Sequence, residues 1–196
     1  WLSDWSSDVC SSDLAMYEAK EQGKNGYSFY TAEMNEEPSR KLLLEKDLHV
    51  ALDHNELILH YQPQIDMKTK EITGAEALLR WNHPVLGMIS PVEFIPIAEQ
   101  TGLIMPIGEW ILRSASVQGK RWLDMGRNLK IGVNLSPRQF YQEDLVGMIE
   151  EMLYETGLPP ENLDLEITEG IAMNDLDLVV PHLFKLRRLG RSEERR

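Results

Sequence analysis

Residues 71–81, EITGAEALLRW, constrain the fold more than any other stretch. Apolar residues run almost unbroken over the length of a strand, as they do where both faces of a parallel sheet are buried. Two charges sit inside this run. Side chains alternate faces along a strand, so Glu76, Leu78 and Arg80 share one face and Ala75, Ala77, Leu79 and Trp81 the other. At the usual rise per residue the two charges lie about 13 Å apart. A carboxylate in such company needs a partner, because an unpaired buried charge is either very costly or neutralised. Two readings follow: a structural ion pair with another part of the core, or a metal ligand at Glu76 with an anion clamp at Arg80.

Two later segments repeat the design. Residues 130–136, KIGVNLS, put Gly132, Asn134 and Ser136 on one face and Ile131, Val133 and Leu135 on the other. Residues 163–169, LDLEITE, set Asp164, Glu166 and Thr168 against Leu163, Leu165 and Ile167. Asn134 suits either a local turn at a strand end or a ligand role. Glu166 faces the same way as Asp164, whereas Glu169 has the opposite parity and stands past the strand.

The intervening sequence is punctuated as a βα repeat. A helix from Ser39 carries Leu44, Leu48, Ala51 and Leu52 at helical spacing. Residues 57–65 alternate as a strand, with Ile58, His60, Gln62 and Gln64 on one side, and residues 68–71 form a turn. Asn82-His83-Pro84 reads as another turn. Ser90-Pro91-Val92-Glu93 is a capping box opening a helix that Pro96 kinks or shortens. A longer helix covers about 107–123 and stops at Gly126. Ser136-Pro137-Arg138-Gln139 opens a helix whose stripe is Leu145, Met148, Ile149, Met152 and Leu153, closed by Gly157. A last helix, interrupted by Pro181, ends at Leu189-Gly190. Strands alternating with helices imply an α/β chain with a parallel sheet, either a barrel or a doubly wound sheet. Both place ligands at the carboxyl ends of strands. The missing Gly-rich phosphate loop weighs against the doubly wound form.

Composition sets outer limits. A net charge of −12 over 196 residues argues against binding a nucleic-acid polymer. No run of 18 apolar residues is present, so no membrane contact is expected from this segment. Cys10 alone excludes an internal disulfide and suits a cytoplasmic setting, with any membrane anchoring of a parent protein left open. Residues 1–14, with their repeated Ser-Ser-Asp, and residues 191–196 look like non-native, adapter-derived ends and take no part in the fold reasoning.

Glu76-Ala77-Leu78, followed by Leu79-Arg80-Trp81, resembles the signature of the EAL family, phosphodiesterases that hydrolyse cyclic di-GMP to linear pGpG in bacterial signalling. Further matches follow in order. Tyr61-Gln62-Pro63 resembles the family's Tyr-Gln-Pro, Val133-Asn134-Leu135-Ser136 its Val-Asn-Leu-Ser, and Glu166-Ile167-Thr168-Glu169 its Glu-Ile-Thr-Glu. The resemblance implies a (β/α)8 TIM-type barrel and Mg²⁺ or Mn²⁺ held by Glu76, Asn134 and Glu166. It gives Glu76 and Glu169 catalytic parts, with Glu169 holding an active-site loop. Gln62 and Arg80 become contacts for cyclic di-GMP, and a homodimer through the EAL domain is one assembly that the resemblance allows. Residues 15–31 resemble the C-terminal tail of a GGDEF domain, residues 32–38 read as a linker, and residues 39–190 as the N-terminal part of an EAL domain. That part holds about the first four strands of an incomplete barrel. The family's fifth strand, its Asp-Asp-Phe-Gly-Thr-Gly loop and its catalytic Lys would fall beyond Gly190. The fragment itself is therefore expected to be inactive and prone to aggregate at open sheet edges. The alternative function is a catalytically silent cyclic di-GMP receptor or interaction module.

Overall fold

The computed structural model describes residues 33–167 and 184–186. The resemblance at residues 15–31, the two adapter-like ends and Glu169 lie outside the described residues, as does most of the last expected helix, of which residues 184–186 are helical. The chain divides into two compact units, Trp1–Asp47 and Leu48–Arg196. Helix α1, Glu33–Ala51, runs through the division and begins upstream of Ser39, inside the stretch read as a linker.

The second unit is built on one five-stranded sheet. Its strands are β1 (Leu57–Ile65), β2 (Ile72–His83), β3 (Gly87–Ile89), β4 (Lys130–Leu135) and β5 (Leu163–Ile167). The spatial order is β1-β2-β4-β5, with β3 paired to the far end of β2. β2, β4 and β5 are mutually parallel, whereas β1 and β3 run antiparallel to β2. The sheet is therefore mixed rather than wholly parallel. The reason is chain length: only residues 66–71 separate β1 from β2, far short of the crossover a parallel pair needs.

Among the described residues the unit also holds the helices α2 (Pro91–Thr101), α3 (Ile104–Asp124), α4 (Pro137–Phe140) and α5 (Leu145–Thr156), besides the helical residues 184–186. α2 and α3 pack on the sheet. Ala75, Ala77, Leu79 and Trp81 of β2 are buried, as are Ile131, Val133 and Leu135 of β4. Trp81 meets Phe94 of α2 edge-on, and Tyr61 meets Trp122 of α3 in the same way. The opposite face, with Glu76, Leu78 and Arg80, is only half-buried, so one face of β2 is covered and not both. The alternation of β2 thus sends the charges to the open side of the sheet. Among the described residues no helix is long and apolar enough to cross a membrane.

Several local expectations are revised. β2 continues to His83, past the turn expected at residue 82, because Asn82 and His83 pair with β3. The reversal comes after the strand, where His83 Nδ1 accepts the N–H groups of Val85 and Leu86. Ser90 caps α2 without a side-chain bond, since its backbone oxygen already takes the Glu93 N–H. Pro96 lies within α2 without ending it, and the carbonyl its ring leaves unpaired belongs to exposed Val92, where water can reach. The helix expected after Ser136 is two helices. Phe140 and Leu145 are both fully buried, yet five residues along one unbroken helix would set them about 140° apart. Breaking the helix lets both reach the core.

Candidate functional site

Glu76, Asn134 and Glu166 stand on three adjacent strands and on the same open face. Asn134 lies directly opposite Glu166, and Glu76 directly opposite Gly132. Asn134 Nδ2 donates to Glu76 Oε1 at 2.6 Å, which joins β2 to β4 through side chains. With Nδ2 committed there, Oδ1 is the ligand atom the amide has left to offer.

Gly132 makes this convergence sterically feasible. A Cβ at that position would sit 2.7 Å from Glu166 Oε1 and 3.7 Å from Glu76 Cα. Any side chain there would push Glu166 aside, and the space a residue would fill is used by a carboxylate instead. The proximity has an electrostatic cost. Burial pushes the Glu166 carboxyl above the usual range, and the negative charges of Glu76 and Asp164 push it further the same way. A hydrogen bond from Gln64 works in the opposite direction.

Gln62 lies opposite Glu76 across the β1–β2 ladder, on the same face and exposed. Arg80 shares that face farther along β2, where it pairs with Ile58, and its Nη1 donates to the Leu79 carbonyl at 2.7 Å. The structure thus gathers Glu76, Asn134 and Glu166, sets Gln62 beside them, and leaves Arg80 apart. Glu169 lies outside the described residues. Gln64 is the residue missed by sequence reasoning. Its signal was present, since it shares a β1 face with Gln62, but only the hairpin register shows that it reaches Glu166.

Among the described residues no three His, Cys, Asp or Glu side chains gather as a metal cluster. The donor set is two carboxylates and one amide, all hard oxygen donors of the kind Mg²⁺ or Mn²⁺ prefers. Burial raises Glu166 most and the Glu76 and Asp164 charges add to it, and a cation among them would offset those charges, so the residues present fit such an ion.

The described residues form a mixed five-stranded α/β sheet with helices on one face and three oxygen-bearing side chains on the other. A (β/α)8 barrel and a doubly wound sheet share that frame, and the solved structure matched below decides for the TIM-like type. The model of the EAL domain family matches residues 45–192. The bifunctional diguanylate cyclase/cyclic di-GMP phosphodiesterase MucR of Pseudomonas aeruginosa is 45% identical over 183 residues, which make up 93% of this chain and 27% of that protein. The cyclic di-GMP phosphodiesterase PdeR of Escherichia coli is 35% identical over 188 residues, 96% of this chain and 28% of that one. A solved structure described as the PaMucR phosphodiesterase in complex with c-di-GMP superposes with a TM-score of 0.74 at 44% identity, covering 76% of this chain and 60% of that chain. The chain belongs to the EAL-domain family. It spans little more than a quarter of the length of these two curated relatives.

Proposed function

We propose that the domain to which this chain contributes hydrolyses cyclic di-GMP to linear pGpG, with Mg²⁺ or Mn²⁺ held by Glu76, Asn134 and Glu166. The observation that carries this reading is the convergence of those three side chains on one face, with Asn134 bonded to Glu76 at 2.6 Å and Glu166 feeling the Glu76 charge. The similarity to the phosphodiesterases MucR and PdeR supports the same reading. When bound, such a cation supplies Lewis-acid polarisation of the phosphoryl oxygen and an acidified water.

The chain's own residues do the positioning. Glu76 and Glu166 present two negative oxygens from strands separated by the single strand β4, and Asn134 orients Glu76 through its amide. Gln62, on the adjoining strand, offers an amide to the dinucleotide. Arg80 offers a planar fork suited to a second phosphate. Glu169 is assigned the loop-holding part that its motif implies.

An alignment of 183 residues with MucR reaches upstream of residue 45, which supports reading residues 15–31 as the end of a cyclase domain. Activity belongs to the whole domain, so the test uses protein carrying this chain in its full-length context. Glu76→Ala should abolish pGpG formation, followed by chromatography with cyclic di-GMP and Mg²⁺. Turnover near the wild-type rate in that variant would remove Glu76 from the mechanism. Tight binding of cyclic di-GMP by the unmutated protein without turnover would assign it to the receptor class instead.

A further inference from the structure

α3 contains a glycine whose own backbone does not require one. Gly108 sits in the interior of a 21-residue helix, where Ala would favour the helix. The explanation lies across the packing surface. A Cβ on Gly108 would fall on Gln139 Nε2 and within 2.5 Å of Gln139 Cδ. Gln139 is the third residue of α4 and is almost wholly buried.

Gln139 closes a reciprocal cap. Its Oε1 accepts the Ser136 N–H at 3.1 Å, and its own N–H donates to Ser136 Oγ at 3.4 Å. Ser136 is two residues after Asn134, so this cap fixes the backbone at the point where β4 delivers its amide. The neighbours of Gln139 tie the same turn to other parts of the fold. Arg138 Nη1 donates to the Glu99 carbonyl near the end of α2. Phe140 packs against Ile167, the residue that follows Glu166.

We propose that Gln139, held against Gly108, is a positioning residue that sets the direction of the Asn134 side chain, with α4 registering β4 and β5 to each other. The part of this proposal that concerns cation binding rests on the function proposed above. The part that concerns Asn134 does not.

The test uses protein carrying this chain in its full-length context and two readouts. The first is the side-chain amide resonance of Asn134 in the metal-free ¹⁵N-labelled protein, assigned by its loss in Asn134→Ala. The second is Mn²⁺ affinity by electron paramagnetic resonance. Gln139→Ala and Gly108→Ala should each shift or broaden the Asn134 resonance and weaken Mn²⁺ binding by about tenfold or more, the range for residues that orient a ligand. Gln139→Ala removes bulk rather than adding it, so it keeps the proposal testable if Gly108→Ala fails to fold. The double variant should regain thermal stability relative to Gly108→Ala, because the clash is gone, without regaining Mn²⁺ affinity. A merely structural role would let the two recover together, and that recovery would overturn the proposal. An unmoved Asn134 resonance in both single variants would also overturn it, as would unchanged Mn²⁺ affinity. Absence of Mn²⁺ binding by the unmutated full-length protein would instead count against the cation reading, with the resonance still deciding the role of Gln139.

Discussion

Glu166 concentrates the electrostatics of the site in one side chain. Burial is the largest cause of its raised pKa, the charges of Glu76 and Asp164 add to it, and only Gln64 opposes it. The sign of the linkage follows. A carboxyl whose folded pKa exceeds its unfolded value binds its proton more tightly when folded, so ionising it costs stability. That cost is complete above the folded pKa. It is relieved as pH falls from there towards the ordinary glutamate value. Glu166→Gln should remove this component, leaving the metal-free protein at least as stable as the original near neutral pH and flattening its stability profile over that interval. Urea denaturation at a series of pH values measures it. A variant that is less stable at neutral pH, with the slope intact, would show that Glu166 is stabilised as an anion. Saturating Mg²⁺ should invert the ranking, because a ligand at 100 times its Kd adds about 2.7 kcal/mol to the state that binds it.

The β1–β2 hairpin shows the opposite electrostatic case. Asp66 Oδ1 accepts the backbone N–H groups of Lys68 at 2.7 Å and Thr69 at 3.0 Å, an Asx turn that closes the connection. The Thr69 and Lys68 amides hold its carboxyl below the usual range. The stabilisation is therefore present above the unfolded carboxylate pKa and disappears as pH falls through the folded one. Asp66→Ala should lower the melting temperature at pH 7 and leave little difference at pH 2, as thermal melts at the two pH values would show. An equal loss at both would mean that the turn does not depend on the carboxylate. This hairpin also shows how far the sequence could be read. β1 was legible to the residue, because alternation and flanking turns agree from Leu57 to Ile65. Its antiparallel direction follows from the short connection, a constraint of length that an argument from repeating strands and helices passes over. β3 escapes because three residues carry no period, and the break between α4 and α5 because burial of Phe140 and Leu145 leaves no Pro or Gly behind it. At the site, parity set each of Glu76, Asn134 and Glu166 on a definite face of its own strand, and only the family resemblance brought the three together. The bond from Asn134 to Glu76, the reach of Gln64 and the need for Gly132 depend on register between strands, which no single segment encodes.

Among the described residues the sheet path ends at β1 on one side and β5 on the other. β1 offers nine residues of strand, long for an edge, and the cross-strand pair Ile65 and Ile72 at its hairpin end is exposed. An edge with free N–H and C=O groups is a template for a second chain, which is the source of the aggregation expected from the sequence. Net charge opposes this pairing. At −12 the chain repels its own copies, and the repulsion reaches about 10 Å at 0.1 M salt but only about 3 Å at 1 M. Backbone pairing across an edge acts at about 4.8 Å, which lies between the two screening lengths. The balance should therefore turn with ionic strength. The 196-residue chain should sediment as a monomer in dilute buffer and associate reversibly as NaCl approaches 1 M, by velocity ultracentrifugation at several protein concentrations. A proline at Leu59 should suppress the association by removing an edge donor, because the bond from the Asn82 N–H to the Glu56 carbonyl turns the amides of residues 56, 58 and 60 towards β2 and that of Leu59 outward. A sharp monomeric melt that persists unchanged at 1 M NaCl would show that the edges are closed to pairing.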